Sequence, residues 1–225
     1  LSFPRIQGTD SVGRIVAVGA DVSADRIGQR VMVDFSIYND EGDSLADIDY
    51  IGHGRNGGFA EYLTVPDENA HLVDNDLSDS ELATFCCAYL TGEHMLDRAN
   101  VQAGERVLIT GASGGVGSGL IQLCRARGAI PYGLTSRVKL EEVKALGAQG
   151  VIDRDSPNLI EAAHHALEDH AVDVVADLVG GTLFNPLLQL LRPEGRYTTA
   201  GAIGGPVVEL DLRTVYLKHL AIHGS

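Results

Sequence analysis

The run Ala112-Ser113-Gly114-Gly115-Val116-Gly117 has the residue types and spacing of a phosphate-binding turn. It follows the apolar stretch Arg106 to Thr110 and precedes a helical pattern, so we expect a strand-to-helix turn. Ala112, Gly114 and Gly117 occupy the three positions of the G-x-G-x-x-G pattern. A backbone without side chains can approach a pyrophosphate closely, and a helix N-terminus supplies N–H groups for its charge. A turn without a ligand is the alternative. The context favours a dinucleotide site, and we predict that every residue of the run binds the cofactor.

The segment Gly133-Leu134-Thr135-Ser136-Arg137-Val138-Lys139 indicates which dinucleotide is bound. About 20 residues beyond the glycine run, a site for NAD usually has an Asp or Glu that accepts hydrogen bonds from the ribose 2′-OH. No acidic residue occurs here before Glu141. Ser136 can donate to a 2′-phosphate, and Arg137 and Lys139 can neutralise it. Solvated charges at a helix start are the alternative, but cations there oppose the helix dipole. We therefore predict NADP(H).

The elements that must position these residues alternate between strand and helix from Arg106 onward. Six strand candidates are Arg106–Thr110, Ala129–Leu134, Gly150–Ile152, Val172–Leu178, Gly195–Gly201 and Leu220–Gly224. The strands are mostly continuous apolar runs, as expected when helices cover both faces of a parallel sheet. Gly128 and Gly147 are placed to end the first two intervening helices. The pattern predicts an α/β fold with a doubly wound parallel sheet of the Rossmann type.

The first hundred residues have a different pattern. Gly13–Gly19 and Arg30–Val33 are short and β-rich, as in a small barrel, and Phe59–Pro66 also has strand character. Residues 39–58 between them are polar, acidic and rich in glycine, which predicts a surface lobe.

A helix is predicted to begin at Ser78, where Glu81 completes a capping box. Apolar residues then recur at helical spacing at Leu82, Phe85, Cys86, Tyr89 and Leu90.

Composition excludes several classes of partner. The chain has 225 residues and a formal net charge of -14, which would repel nucleic acid and anionic membranes. No apolar run approaches the ~20 residues of a membrane span. The three cysteines form no disulfide framework, because Cys86 and Cys87 are adjacent and Cys124 stands alone, so we expect a cytoplasmic protein.

Several motifs in order resemble the medium-chain dehydrogenase/reductase superfamily. They are Gly8–Val16, Gly57–Tyr62, Thr91-Gly92, Val107–Gly117, Lys139–Ala148, Asp173–Gly181 and Leu191–Arg196. The resemblance implies a partial GroES-like β-barrel catalytic domain at residues 1–98 and a Rossmann NADP-binding domain at residues 99–225. It also implies a small-molecule substrate, a homo-oligomer (dimer or tetramer), and a fragment that lacks both ends.

Three further cofactor residues are predicted. Thr91 matches a position of the superfamily beside the nicotinamide; a threonine that bonds its own helix backbone is the alternative. Gly180 and Gly201 follow two of the strands, at the carboxyl edge where ligands lie in open sheets. Simple turn glycines are the alternative for both. No catalytic residue is assigned.

In the zinc-dependent members of the superfamily that this chain resembles, the first motif reads Gly-His-Glu, and its histidine is a metal ligand. This chain reads Gly8-Thr9-Asp10 at that position. A threonine is a poor zinc ligand. Cys87 matches the position of the third ligand, but a cysteine on a helix can also be simply a small buried apolar residue. We therefore predict no metal, rejecting a structural site because residues 39–58 contain no cysteine. Without zinc the chain is similar to the quinone oxidoreductase branch. That implies NADPH-dependent hydride transfer to a quinone, an enone or a related electron-poor acceptor.

Two other functions stay open. One is an alcohol or aldehyde dehydrogenase with a degenerate zinc site. The other is a non-catalytic NADP(H)-binding sensor or structural protein.

Overall fold

A computed structural model describes residues 3–38 and 48–225. The chain divides into two compact units, Leu1–Ala88 and Tyr89–Ser225. The domain boundary placed at residue 98 from the sequence stays a prediction. Within the described ranges, no helix is long and apolar enough to cross a bilayer.

The first unit contains two small antiparallel sheets. Strands β1 (Val12–Arg14), β2 (Arg30–Val33) and β5 (Ala70–Leu72) form one sheet, and β3 (Ser36–Tyr38) pairs with β4 (Ile48–Tyr50) in the other. The side chains of Val33, Ile37 and Ile51 are buried together at its core. The β-rich character of this region is confirmed, while residues 39–47 of the predicted lobe lie outside the described residues.

Three local predictions for the first hundred residues are wrong in extent or kind. Phe59–Pro66 forms no strand, because the backbone around Gly58 bonds residues 7 and 8 in a loop and leaves Phe59 81% exposed. The strand expected over Gly13–Gly19 ends at Arg14. The expected helix is two helices, α1 (Asp79–Ala83) and α2 (Cys86–Arg98), separated by a turn. The capping box is confirmed: Ser78 Oγ accepts from the Glu81 N–H at 3.2 Å.

The second unit is built on a six-stranded parallel sheet. Its strands are β6 (Arg106–Thr110), β7 (Ile130–Thr135), β8 (Gly150–Asp153), β9 (Val172–Asp177), β10 (Leu191–Thr199) and β11 (Ala221–Gly224). They lie in the order β11-β10-β9-β6-β7-β8. The chain thus winds outward from β6 on one side and from β9 on the other, so the doubly wound prediction is confirmed. All six predicted strands are present, although β10 begins at Leu191 rather than at Gly195.

Helices cover both faces of this sheet. They are α3 (Gly115–Ala126), α4 (Leu140–Ala145), α5 (Leu159–Ala166), α6 (Phe184–Leu190) and α7 (Leu212–Lys218). In β6, Val107 and Ile109 pack into the apolar cluster that contains Leu120 of α3, whereas Leu108 packs into the opposite cluster with Leu187 of α6. Successive strand residues point to opposite faces, which explains why all three central residues of the strand are apolar.

Glycines end α3 and α4 as predicted. Gly128 has φ +75° and Gly147 has φ +103°, backbone conformations that residues with a Cβ rarely adopt. Each glycine ends its helix within a few residues of the next strand, so that the chain enters β7 after Gly128 and β8 after Gly147.

Gly133 in β7 provides a test of how closely α4 packs on the sheet. A Cβ there would lie 2.5 Å from Val143 Cγ1 and 3.0 Å from Ala112 Cβ. We expect Gly133→Ala to lower the free energy of unfolding by about 1–3 kcal/mol through overpacking. The matched control is Gly224→Ala in β11, where a Cβ meets nothing within 4 Å. Urea unfolding of both variants measures the difference, and equal losses would contradict the packing described here.

Candidate functional site

The carboxyl ends of the parallel strands meet at one edge of the sheet, where the predicted site residues lie. The strand order reverses between β6 and β9, and open α/β sheets bind ligands in the crevice at such a point. Gly111 after β6 approaches the loop after β9: a Cβ on Gly111 would lie 3.6 Å from Val179 Cγ2. Gly111 has φ +57°, which turns the chain sharply from the strand toward α3.

The N-terminus of α3 has no side-chain cap. Gly114 is its N-cap residue, is exposed, and offers no side-chain oxygen to the first N–H groups of the helix. The first-turn N–H groups, those of Gly115, Val116 and Gly117, have no acceptor within an α-helix. An uncapped, exposed helix start with a favourable dipole is the arrangement that binds a phosphate. The residues present therefore fit a dinucleotide pyrophosphate.

Gly117 lets α3 start directly against the end of β6. A Cβ on Gly117 would lie 2.3 Å from the Gly111 carbonyl oxygen and 2.7 Å from Ala112 Cα, and both are backbone atoms. Ala112 is itself fully buried, and its N–H donates to the Leu134 carbonyl at 3.2 Å. The loop is thus fixed on one side by α3 and on the other by β7.

A side-chain hydrogen bond ties this loop to the end of β7. Thr135 Oγ1 donates to Ser113 Oγ at 3.0 Å, and the Thr135 side chain is buried. The next residue, Ser136, is partly exposed at the start of a short 3-10 turn, Arg137–Lys139, and its side chain caps no N–H there. Its hydroxyl has the freedom to bond a ligand.

Carboxylates partner both predicted phosphate-binding cations. Arg137 Nε lies 2.8 Å from Asp153 Oδ2, and Lys139 Nζ lies 2.7 Å from Glu142 Oε2. The hydrogen bond from Arg137 holds the pKa of the Asp153 carboxyl below its usual range. These carboxylates offset the unfavourable interaction of the two cations with the helix dipole, so the cations do not require a bound anion. Asp153 is a site residue that the sequence reasoning missed, because only the β7–β8 pairing places it beside Thr135.

The other three predicted residues are spread over the same unit. Thr91 lies in α2 next to Gly92, where a Cβ would lie 3.2 Å from Leu123 of α3, so this part of α2 packs on the helix that begins at the glycine run. Gly180 follows β9 with φ +66°. Gly201 follows β10, and a Cβ there would lie 2.6 Å from the Leu178 carbonyl oxygen. The structure thus brings both glycines to the carboxyl edge, and each also serves a tight turn.

A buried polar cluster lies between β6, β9 and β10 at this edge. Asp177 is completely buried and accepts from Thr110 Oγ1 at 2.5 Å, from the Val179 N–H at 2.9 Å and from the Gly180 N–H at 3.0 Å. The Tyr197 hydroxyl also donates to it. The sequence reasoning missed this cluster; an Asp at the end of an apolar strand run was the available signal.

In the first unit, the candidate zinc residues do not form a metal site. The Cys87 N–H donates to Asp10 Oδ1 at 2.7 Å, so the Asp10 carboxylate bonds the backbone of Cys87. Catalytic zinc needs three good protein ligands. Among the described residues, no group of three His, Cys, Asp or Glu side chains could hold a metal ion. The described residues by themselves thus supply no complete set of zinc ligands.

The geometry of the second unit defines a Rossmann-type dinucleotide-binding fold. Comparisons extend this to the family: residues 115–225 match "Zinc-binding dehydrogenase" and residues 1–75 match "Alcohol dehydrogenase GroES-like domain". The chain belongs to the medium-chain dehydrogenase/reductase superfamily, as its motifs predicted.

Solved structures and relatives agree with this assignment. A structure from Sinorhizobium meliloti 1021 with a provisional alcohol dehydrogenase assignment is 66% identical, with a TM-score of 0.95 over 100% of this chain and 62% of its own. A thermostable alcohol dehydrogenase from Pyrobaculum aerophilum is 30% identical, with a TM-score of 0.85 over 100% of this chain and 68% of its own. A quinone oxidoreductase of Pongo abelii is 28% identical over 99% of this chain and 62% of its own length. The chain spans 46% to 66% of three curated relatives that it matches.

The two key glycines of the loop are expected to differ in their tolerance of a methyl group. Gly117→Ala places a Cβ against backbone and should lower the free energy of unfolding by about 3 kcal/mol. In Gly114→Ala the new Cβ would contact only the Gly111 oxygen, at 3.3 Å, and the φ of Gly114 is negative. We therefore expect this variant to lose about 1 kcal/mol or less of the free energy of unfolding. Chemical denaturation of both variants provides the measurement. A Gly114 variant as unstable as the Gly117 variant would contradict the described packing.

Proposed function

We propose that the chain is part of an NADP(H)-dependent oxidoreductase that transfers hydride to a quinone, an enone or a related electron-poor acceptor without zinc. The observation that carries the cofactor choice is the end of β7, where the chain continues as Thr135, Ser136 and Arg137 instead of the Asp or Glu that usually accepts from a ribose 2′-OH, and where the neighbouring Asp153 carboxylate is bonded to Arg137. The uncapped start of α3 supports a pyrophosphate next to it.

In this proposal each part of the site has a separate task. Residues 112–117 bind the pyrophosphate through backbone N–H groups, and Ser113 is held by its hydrogen bond with Thr135. Ser136 and Arg137 bind the 2′-phosphate, with Lys139 adding positive charge nearby. Thr91, Gly180 and Gly201 line the nicotinamide half. When bound, NADPH supplies the hydride, and the protein positions it.

The guanidinium of Arg137 can contact a 2′-phosphate because Asp153 accepts a hydrogen bond from only one of its nitrogens, Nε. The Nε–Asp153 bond leaves the two terminal nitrogens of the guanidinium available for a forked contact with phosphate oxygens. The Arg137 side chain is 77% exposed, so a ligand can reach it. Asp153 also cancels part of the positive charge, so we expect a moderate rather than an absolute preference for the phosphorylated coenzyme.

The zinc-independent part of the proposal rests on the first unit. Thr9 replaces an imidazole ligand, and Asp10 bonds the backbone of Cys87. A quinone or enone accepts hydride without strong Lewis-acid help, whereas a simple ketone needs more polarisation. The likeness to alcohol dehydrogenases keeps a second candidate, a metal-dependent alcohol dehydrogenase that uses Cys87.

The cofactor choice is tested by removing Arg137. Arg137→Ala should weaken NADPH binding about tenfold and leave NADH binding unchanged, because only the phosphorylated coenzyme loses a charge-assisted contact. The matched control is Arg213→Ala, since Arg213 is also an exposed arginine bonded to a single aspartate. Fluorescence titration with both coenzymes measures the dissociation constants. Equal affinity of the wild type for NADH and NADPH would refute the cofactor assignment.

The reaction is tested by comparing acceptors and metal content. We expect the protein to oxidise NADPH with quinones or enones and to retain that rate, within about twofold, after dialysis against a chelator. Metal analysis of the purified protein accompanies the assay. Stoichiometric zinc together with ketone turnover would instead establish the second candidate. Coenzyme binding with no turnover of any acceptor would indicate a binding protein.

A further inference from the structure

Asp177 is a buried carboxylate to which the proposed function gives no task. Its four hydrogen-bond donors are all neutral: the hydroxyls of Thr110 and Tyr197 and the N–H groups of Val179 and Gly180. An ionised carboxylate only accepts hydrogen bonds and has about four acceptor positions, so this set of donors suits the anion. Among the described residues, the hydrogen-bond partners of this carboxylate are thus dipoles and not cations.

The tyrosine partner keeps its proton. Burial, and then the hydrogen bond to Asp177, raises the pKa of the Tyr197 hydroxyl above its ordinary value. The phenol therefore stays a neutral donor at physiological pH. The direction of the Thr110 hydrogen bond is also fixed: its oxygen accepts from the Leu178 N–H at 2.8 Å, so its hydrogen is donated to Asp177.

The cluster fixes two loops at the carboxyl edge. Asp177 holds the backbone after β9, and that backbone interlocks with the loop after β10: the Gly204 N–H donates to the Val179 carbonyl at 2.7 Å, and the Gly181 N–H donates to the Gly205 carbonyl at 3.0 Å. A dinucleotide fold has two mononucleotide halves, and the phosphate loop and the ribose end belong to the β6–β8 half. In the proposed site, the nicotinamide half of the ligand would then face the loops that Asp177 holds.

We propose that Asp177 is a positioning residue that biases the site toward the oxidised coenzyme. The inference rests on the proposed dinucleotide site. The oxidised nicotinamide ring carries a positive charge and the reduced ring carries none. A buried anion without a cationic partner, beneath loops that line the nicotinamide half, attracts only the charged ring, and the low-dielectric surroundings screen that attraction poorly.

The test compares the affinities for oxidised and reduced coenzyme. Asp177→Asn keeps the side-chain shape and removes the charge, so we expect the ratio of the NADP⁺ to the NADPH dissociation constant to rise about fivefold. The matched control is Thr198→Val: Thr198 is buried in β10, and its hydroxyl bonds Ser225 Oγ at 2.7 Å, away from Asp177. This control should lower the melting temperature without changing the ratio. An unchanged ratio in folded Asp177→Asn would overturn the inference.

Tyr197→Phe decides the question if Asp177→Asn fails to fold. This variant keeps the Asp177 carboxylate and removes the Tyr197 hydroxyl, one of the four dipoles that offset its charge. The preference for the oxidised coenzyme should therefore increase about twofold. An unchanged or reduced preference in this variant would overturn the inference.

The same titrations with NAD⁺ and NADH separate this inference from the cofactor assignment. Both coenzyme pairs carry the same nicotinamide ring, so the ratio is readable even if the preference for the 2′-phosphate fails. Failure of both pairs to bind the wild-type protein would remove the dinucleotide site and with it the proposed function.

Discussion

The close approach of α3 to the end of β6 is the constraint on which the rest of the second unit depends. The Gly111 oxygen and Ala112 Cα lie where a side chain on Gly117 would be. Because no Cβ intervenes, the helix begins close to the end of the strand, and its first N–H groups, which no side chain caps, lie at this edge of the sheet. Helices also pack closely on the neighbouring part of the sheet. Ala112 is completely buried, and a Cβ on Gly133 would lie 2.5 Å from Val143 Cγ1.

Polar groups at this edge are arranged in two different ways. At the end of β7 and β8 the charged groups are exposed and paired, as in Arg137 with Asp153, and exposed pairs contribute little to stability. Between β6, β9 and β10 a single carboxylate is buried and bonded by four neutral donors. Removing any one partner there would leave a buried polar group unsatisfied, which is costly. The first arrangement can rearrange around a ligand, whereas the second holds its loops rigidly.

Much of the second unit could be predicted from the sequence because its signals are local. Continuous apolar runs at β6 and β9 predicted strands covered on both faces, and Gly128 and Gly147 predicted the helix ends. The first unit was harder. Phe59–Pro66 has the composition of a strand, but hydrogen bonds between the backbone around Gly58 and residues 7 and 8 shape it as a loop. A strand needs a neighbour, and the composition of a segment does not reveal whether one is present.

The sequence by itself determined the doubly wound class, the glycine run and the basic segment Ser136–Lys139 after β7, since each depends on residue type and spacing along one stretch of chain. Only the tertiary structure decided that Asp153 meets Arg137, that Asp10 meets the backbone of Cys87, and that Asp177 joins three strands. These contacts join residues 16 to 77 positions apart. Strand pairing and loop closure bring such residues together, and no local pattern records which of many possible partners is chosen.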